Sequence, residues 1–431
     1  MKNIFKNLDK CKICGNDNLT EVLKLDEQYL SPTFVSDNNN NELSSLKFPL
    51  TLVLCNKKNN SNHCGLLQLK EITQPDLLYK QYFYRSSTND TMRKDLKDVV
   101  YKCLKIAQPK KNDFIVDIGS NDCTLLNFYE NNFNLIGFEP AENIKFIDEG
   151  NNINIINNYF NHSDFVKKFP NIKAKIITSC AMFYDLENPK NFVNDIEKIL
   201  DDDGIWCCQI SYLASMIKNN NFYDICHEHL SYYSIDTFEK LINQFNLICF
   251  FAETNAVNGG SVRLYVCKKN CEKYIKKEYL NHLEKLKKDE KKLELDNLNT
   301  FYNYEKTINE LKIKTISFVN KILKSNKLVL ALGASTKGNV VLQHFGLTKE
   351  KIPFISERNI EKVGLKCLGS DIELISEKRA RELKPEAFLV LPWNFKNEII
   401  AREKDYLENG GKLFFIMPYP HYITKDGEIR L

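Results

Sequence analysis

Residues 115–126 read IVDIGSNDCTLL, and the rest of the chain is arranged around them. A short apolar run meets a single glycine, Gly119, passes through polar residues and becomes apolar again. The spacing predicts a buried parallel strand, a tight turn at Gly119 and a helix beginning near 121–124. A turn of this kind leaves backbone N–H groups facing the space above the strand end, where open α/β sheets hold small molecules.

The strand is placed at Phe114–Ile118 and the next at Asn134–Phe138, which runs into Glu139 and Pro140. A carboxylate at the tip of a second strand, about 20 positions past the glycine turn, suits a ribose, because one carboxylate accepts from both hydroxyls. A dinucleotide would share that feature, but the turn is not GxGxxG. Gly119 is followed by Ser120, Asn121 and Asp122, with Cys123 where a third small residue would stand. That pattern suits the carboxylate and ammonium of a methionine better than a pyrophosphate. S-adenosylmethionine is therefore the expected ligand, with Asp117, Gly119, Asn121, Asp122, Glu139, Pro140, Ser179 and Met182 as candidate contacts. A dinucleotide and an empty turn are the other readings.

Further strands at 174–179 and 204–210, a turn at Asp201-Asp202-Asp203 and a helix over 190–200 continue a doubly wound α/β plan. The strand ends at Glu139, Ser179 and Gln209 are expected to line one cleft. Upstream, Met92, Leu96, Val99 or Val100, Cys103 and Leu104 recur at helical spacing. Before that helix, Tyr82, Tyr84, Arg85, Ser86 and Ser87 form a hydroxyl-rich approach whose tyrosines either reach a substrate or pack as aromatics.

At 431 residues, two or three domains are expected, and 43% apolar residues allow substantial cores. A net charge of +4 with scattered basic residues argues against nucleic acid as a partner. No leader or membrane-spanning run is visible. Fourteen cysteines in so large a chain point to a reducing cytoplasm rather than a disulfide scaffold. Cys11-Lys12-Ile13-Cys14-Gly15 reads as half of a metal knuckle, with Cys55 and Cys64 as its partners. Four thiolates suit structural Zn(II), which leaves no open position for catalysis. Free thiols or a redox pair are the alternatives.

Residues 226–234 read CHEHLSYYS. His229 or His227 beside Glu228 suits proton abstraction; satisfied structural histidines and a metal site are the other readings. In an extended segment the two histidines would share a face; a turn would bring Glu228 and His229 together. Residues 258–266, NGGSVRLYV, read as a turn into a strand, with Asn258 and Arg263 facing a substrate or serving structure. Residues 268–325 read as one or two solvated helices. A second strand, turn and helix follow at 328–339, where Lys337 and backbone N–H groups suit a diphosphate. Strands are expected at 387–391 and 412–417, and Pro392-Trp393-Asn394 near the cleft.

Taken together, Cys11, Cys14, Cys55 and Cys64 with CGLLQL, VDIGSNDCTLL, CHEHLSYYS and NGGSVRLYV resemble the bacterial sugar C-methyltransferases, along nearly the whole chain. The resemblance implies a zinc-binding module over 1–72, a class I methyltransferase domain over 73–267, a helical connector over 268–325 and a Rossmann-like substrate domain over 326–431. It implies methyl transfer from S-adenosylmethionine to C3 of a nucleotide-linked 4-keto-deoxysugar, a small-molecule partner with neither nucleic acid nor membrane, in a monomer or weak oligomer. His229 takes the role of base and Glu228 of its companion. A tyrosine near Tyr82 or Tyr84 also belongs to the pattern. Asp185 stands where the family has a histidine, Cys226 where it has a tyrosine, and Cys123 where it has a glycine. O-methylation, or binding without catalysis, are the competing functions.

Overall fold

The computed structural model describes residues 5–31, 33–36, 46–56, 63–80, 82 and 84–431. The polar, Asn-rich composition of residues 36–44 predicts a surface loop, and apart from Ser36 this stretch lies outside the described residues. The strand Phe114–Ile118 sits inside a seven-stranded sheet. Across that sheet the order is Leu247–Asn255, Ser261–Lys268, Leu200–Ser211, Ala174–Cys180, Phe114–Ile118, Asn134–Phe138, Asn154–Ile156. Only Ser261–Lys268 runs against its neighbours. Side chains alternate along a strand, so a continuous apolar run serves both faces. Ile115, Leu135, Ile176 and Ile205 share one core with Leu96, Val99 and Cys103 of the helix Asp90–Ala107. Val116, Ile136, Ile177 and Trp206 share another with Phe192, Val193 and Ile196 of the helix Pro189–Ile199. This is the doubly wound sheet of class I methyltransferases, as expected.

Two local expectations need correction. No α-helix follows Gly119; residues 120–125 turn, and only a short 3-10 segment, Leu126–Phe128, forms. Asn121 and Cys123 adopt φ of 50° and 67°, which a right-handed helix cannot contain. Asp201, Asp202 and Asp203 are not a turn before a strand but part of the long strand Leu200–Ser211. There the register steps from Ala174↔Leu200 to Ile176↔Ile205, so the extra residues bulge out, and Lys175 pairs with Asp203 at the bulge.

The N-terminal module is woven into the rest. Its antiparallel strands Leu19–Gln28, Phe48–Cys55 and Leu67–Leu69 are joined by Ser231–Tyr232, the continuation of the histidine segment. Its short strand Phe34–Val35 pairs with Lys366–Cys367 and edges the nine-stranded C-terminal sheet. That sheet holds five neighbouring parallel strands, Val329–Leu332, Phe354–Glu357, Glu373–Ser376, Ala387–Val390 and Lys412–Phe415. Helices Lys277–Lys291 and Leu298–Lys324 connect the two large sheets. No helix among the described residues is long and apolar enough to cross a membrane.

Candidate active site

A cavity of about 960 Å³ opens where the strand ends of both large sheets meet the N-terminal module. One end is the turn after Phe114–Ile118. Gly119 holds φ of 73°, and a Cβ there would stand 3.2 Å from Met182 Cγ, so the bare glycine keeps the floor open. Glu139 is buried, its Oε2 accepting from Asn121 N at 2.8 Å and its Oε1 from Ala141 N at 2.9 Å. Each carboxylate oxygen retains further acceptor capacity. Asp117 accepts from the Thr178 hydroxyl at 2.6 Å, and burial pushes its carboxyl up to about 7. Asp117, Gly119, Asn121, Glu139, Pro140 and Met182 all line the cavity. An open glycine floor beside two buried carboxylates is a cradle that would fit S-adenosylmethionine.

Asp122 and Ser179 are corrections to the expected contacts. Asp122 is buried away from the cavity, accepting from Ser87 N at 3.0 Å and from the Thr124 hydroxyl at 2.6 Å. Ser179 accepts from Trp206 Nε1 at 2.9 Å, on the face of the sheet packed against Pro189–Ile199. Gln209, at the next strand end, does line the cavity.

The middle of the cavity is the histidine segment. Residues 226–228 turn, with His229 N donating to Cys226 O at 3.1 Å, so Glu228 and His229 both face the cavity. His227 points instead to the N-terminal module, its Nε2 3.3 Å from Phe48 O and its ring edge-on to Phe48. Burial, then the nearby Lys337 charge, hold His229 down at about 3, so its imidazole is neutral. Its ring packs edge-on against Tyr184 at 4.5 Å. Burial lifts Glu228 to about 7 against the opposing pull of Lys337. Asp185 is raised well above the carboxylate range, by burial and then by Glu228. Among the described residues, Glu228 Oε1 and Asp185 Oδ1 are buried and meet no hydrogen-bond partner.

Tyr82 and Tyr84 line the approach, Tyr82 half-buried and Tyr84 43% exposed. Asn143 clamps the backbone of Tyr82 through two hydrogen bonds of 2.8 and 3.1 Å, and Arg85 donates to Tyr84 O at 2.9 Å. Sequence reasoning missed Tyr79, which lines the same wall and donates its hydroxyl to Glu228 O at 3.1 Å. Its three-residue spacing from Tyr82 was the available signal. Also missed was Asp224, whose Oδ1 lies 2.5 Å from Lys337 Nζ. Lys337 and Asn258 line the cavity.

Arg263 does not, and its expected substrate role is corrected. It is 2% exposed, and its guanidinium donates to Gln209, Asp95 and Asp98, the last at 2.5 Å. Every side of this cation faces a carboxylate or amide of its own chain.

Outside the cavity, the sulfur atoms of Cys11, Cys14, Cys55 and Cys64 lie within 4.8 Å of one another. A tetrahedral Zn(II) with Zn–S bonds of ~2.3 Å sets its sulfurs ~3.8 Å apart, so the cluster fits that ion. All fourteen cysteines are free of disulfides. The knuckle is tied to the cavity by Lys12, whose Nζ lies 3.4 Å from the carbonyls of Leu186 and Leu230, each next to a cavity carboxyl or imidazole residue.

Three family models match the chain: "Putative zinc binding domain" over 11–79, "Methyltransferase domain" over 89–249 and "C-methyltransferase C-terminal domain" over 256–420. The chain is 25% identical over 432 residues to the C-methyltransferase NovU of Streptomyces niveus, covering 100% of both chains. Among solved structures, an S-adenosylmethionine-dependent methyltransferase from Clostridium acetobutylicum is 11% identical, with a TM-score of 0.31 over 42% of this chain and 93% of that one. The cyclopropane synthase MmaA2 from Mycobacterium tuberculosis is 11% identical, with a TM-score of 0.33 over 45% of this chain and 91% of that one.

Proposed function

We propose that this S-adenosylmethionine-dependent methyltransferase, which is matched by C-methyltransferase and zinc-binding domain models, transfers its methyl group to C3 of a nucleotide-linked 4-keto-deoxyhexose. The observation that carries this reading is that His229, Glu228 and Asp185 open into the same cavity as the Gly119–Glu139 turn. When bound, S-adenosylmethionine supplies an electrophilic sulfonium methyl. Asp117, Gly119, Asn121, Glu139, Pro140 and Met182 would hold it.

A carbon beside a ketone becomes nucleophilic only when its proton is removed. His229 is neutral and lines the cavity, so its imidazole accepts that proton. The charge that develops on the ketone oxygen is met by donors around the cavity, Tyr82 or Tyr84 and the protonated form of Asp185 or Glu228. The acceptor's anionic diphosphate lies toward Lys337 and offsets the positive charge that depresses His229. Proton removal thus becomes easier once the acceptor is seated.

Incubation with methyl-labelled S-adenosylmethionine and a panel of nucleotide-linked 4-keto-6-deoxysugars tests this. Label on C3, located by NMR, is the expected result. His229→Gln should lower kcat at least a hundredfold while retaining affinity for S-adenosylhomocysteine. Label on oxygen, or an unchanged rate in that variant, would overturn the reading.

A further inference from the structure

The tyrosine segment that approaches the cavity is held from two sides by asparagine side chains. From the glycine turn, Asn121 Nδ2 donates to Tyr84 O at 3.2 Å, and Asn121 Oδ1 accepts from Ser86 N at 3.0 Å. From the turn that follows Glu139, Asn143 Nδ2 donates to Tyr82 O at 3.1 Å, and Asn143 Oδ1 accepts from Tyr82 N at 2.8 Å. The Asn143 amide thus grips both peptide groups of Tyr82, which sets the direction in which that side chain leaves the backbone. Glu142 N donates to Lys80 O at 3.1 Å, and Arg85 Nη2 donates back to Asn143 O, also at 3.1 Å.

The two loops that carry these asparagines are the ones that would hold S-adenosylmethionine. Asn121 N donates to Glu139 Oε2 at 2.8 Å and Ala141 N to Glu139 Oε1 at 2.9 Å, so one buried carboxylate binds the loops to each other. Asn143 is half-buried and is not on the cavity wall. Tyr82 is on that wall. Its ring lies 6.1 Å from that of Tyr79, whose hydroxyl donates to Glu228 O at 3.1 Å. Burial, then the charges of Glu228 and Asp185, push the Tyr82 hydroxyl well above its ordinary range, so it stays protonated and able to donate. Tyr84, 43% exposed, is the more open of the two.

We propose that Asn143 is a positioning residue for methyl transfer: it ties Tyr82 to the loop of Glu139, so that a filled cofactor site fixes the Tyr82 hydroxyl against the acceptor's carbonyl oxygen. This rests on the carbonyl-bearing acceptor put forward above and adds how the cofactor and acceptor ends of the cavity are coupled. A bound cofactor stiffens the 119–122 turn and the 139–143 loop, and through the two asparagines it removes freedom from the tyrosine segment. An acceptor that binds afterwards meets a donor already ordered, so each ligand raises affinity for the other by the same factor. Displaced by about 1 Å, the same hydroxyl would lose most of its hold on the developing charge.

The test uses the full-length protein, with hydrogen–deuterium exchange read by mass spectrometry with and without S-adenosylhomocysteine. In the parent, the ligand should slow exchange by about threefold or more in peptides that contain Tyr82 as well as in the 119–122 turn. Asn143→Ala should lose the effect at Tyr82 only and keep S-adenosylhomocysteine affinity within about twofold, which also shows that the variant folds. Asn143→Asp keeps the acceptor for Tyr82 N, loses the donor to Tyr82 O, and carries the test if the alanine variant does not fold. With an acceptor that turns over, Asn143→Ala and Tyr82→Phe should each lower kcat about tenfold. The double variant should then fall less than about threefold below Tyr82→Phe, because Asn143 acts through that hydroxyl. Losses that multiply, or a tyrosine segment that still answers to the ligand in the Asn143 variants, would overturn the positioning role alone. If no nucleotide-linked ketosugar is methylated, the acceptor reading falls, and exchange at Tyr82 still decides whether Asn143 couples the segment to the cofactor site.

Discussion

Glu228 and His229 are neighbours in sequence whose titrations are displaced in opposite directions by the same burial. Glu228, near 7 in the folded chain against 4.5 ordinarily, binds more protons folded than unfolded across that window, so its contribution to stability falls as pH rises from 4.5 to 7. His229, near 3 against 6.5, binds fewer when folded, so its contribution falls as pH drops below 6.5. Glu228→Gln should therefore gain on the parent by about 3 kcal/mol between pH 4.5 and 7.5, read as the pH dependence of the difference in urea stability. A difference that stays flat with pH would show that Glu228 is charged throughout. At this scale the sequence was readable where residue type alone decides, as with Glu139 at its strand tip or the four cysteines. It was not readable where direction decides. Ser179 and Asp122 have the right types, yet one meets Trp206 and the other Ser87 and Thr124, and only the assembled sheet sets those directions.

The helix Asp90–Ala107 is pinned to the sheet by Arg263, which reaches from Ser261–Lys268 to Asp95 and Asp98. Asp95 Oδ2 also accepts from Gln209 Nε2 at 2.7 Å, and Gln209 lines the cavity, so the helix, the reversed strand and the site share one network. Arg263→Met would leave the buried Asp95 carboxylate without its cation, and is expected to cost about 3–5 kcal/mol in urea denaturation. Asp98 has a half-exposed side chain, and Asp98→Asn should cost less than about 1 kcal/mol. A similar cost for both would mean that burial does not set the strength of these pairs. Strands Phe114–Ile118 and Asn134–Phe138 could be bounded from sequence because a fully buried parallel strand is an uninterrupted apolar run ended by a turn residue. The missing helix after Gly119 could not, because the left-handed backbone at Asn121 and Cys123 is set by its neighbours: Ser86 N donates to Asn121 Oδ1 and Ser87 N to Asp122, from a segment far upstream.

At the scale of the whole molecule, the four-cysteine module braces the wall of the cavity that carries Asp185 and His229. Leu69 N donates to Leu230 O at 3.2 Å, Leu230 N to Tyr184 O at 2.9 Å, and Lys12 reaches the carbonyls of Leu186 and Leu230. Lys12→Met should leave one zinc per chain, measured by atomic absorption, yet lower kcat at least tenfold by loosening the backbone on either side of Asp185 and His229. Unchanged turnover would assign the knuckle to folding of its own module only. The three-part build was visible in the sequence as blocks of motif, but the weaving was not, since two-residue strands such as Phe34–Val35 carry no periodicity. That weaving has a consequence for how the protein is made. During translation Phe34–Val35 is finished long before Lys366–Cys367 leaves the ribosome, so the nascent N-terminal segment must wait for its partner. A fragment begun after the first module would instead present 366–367 as a raw sheet margin to neighbouring molecules, and should precipitate where the intact chain stays dispersed.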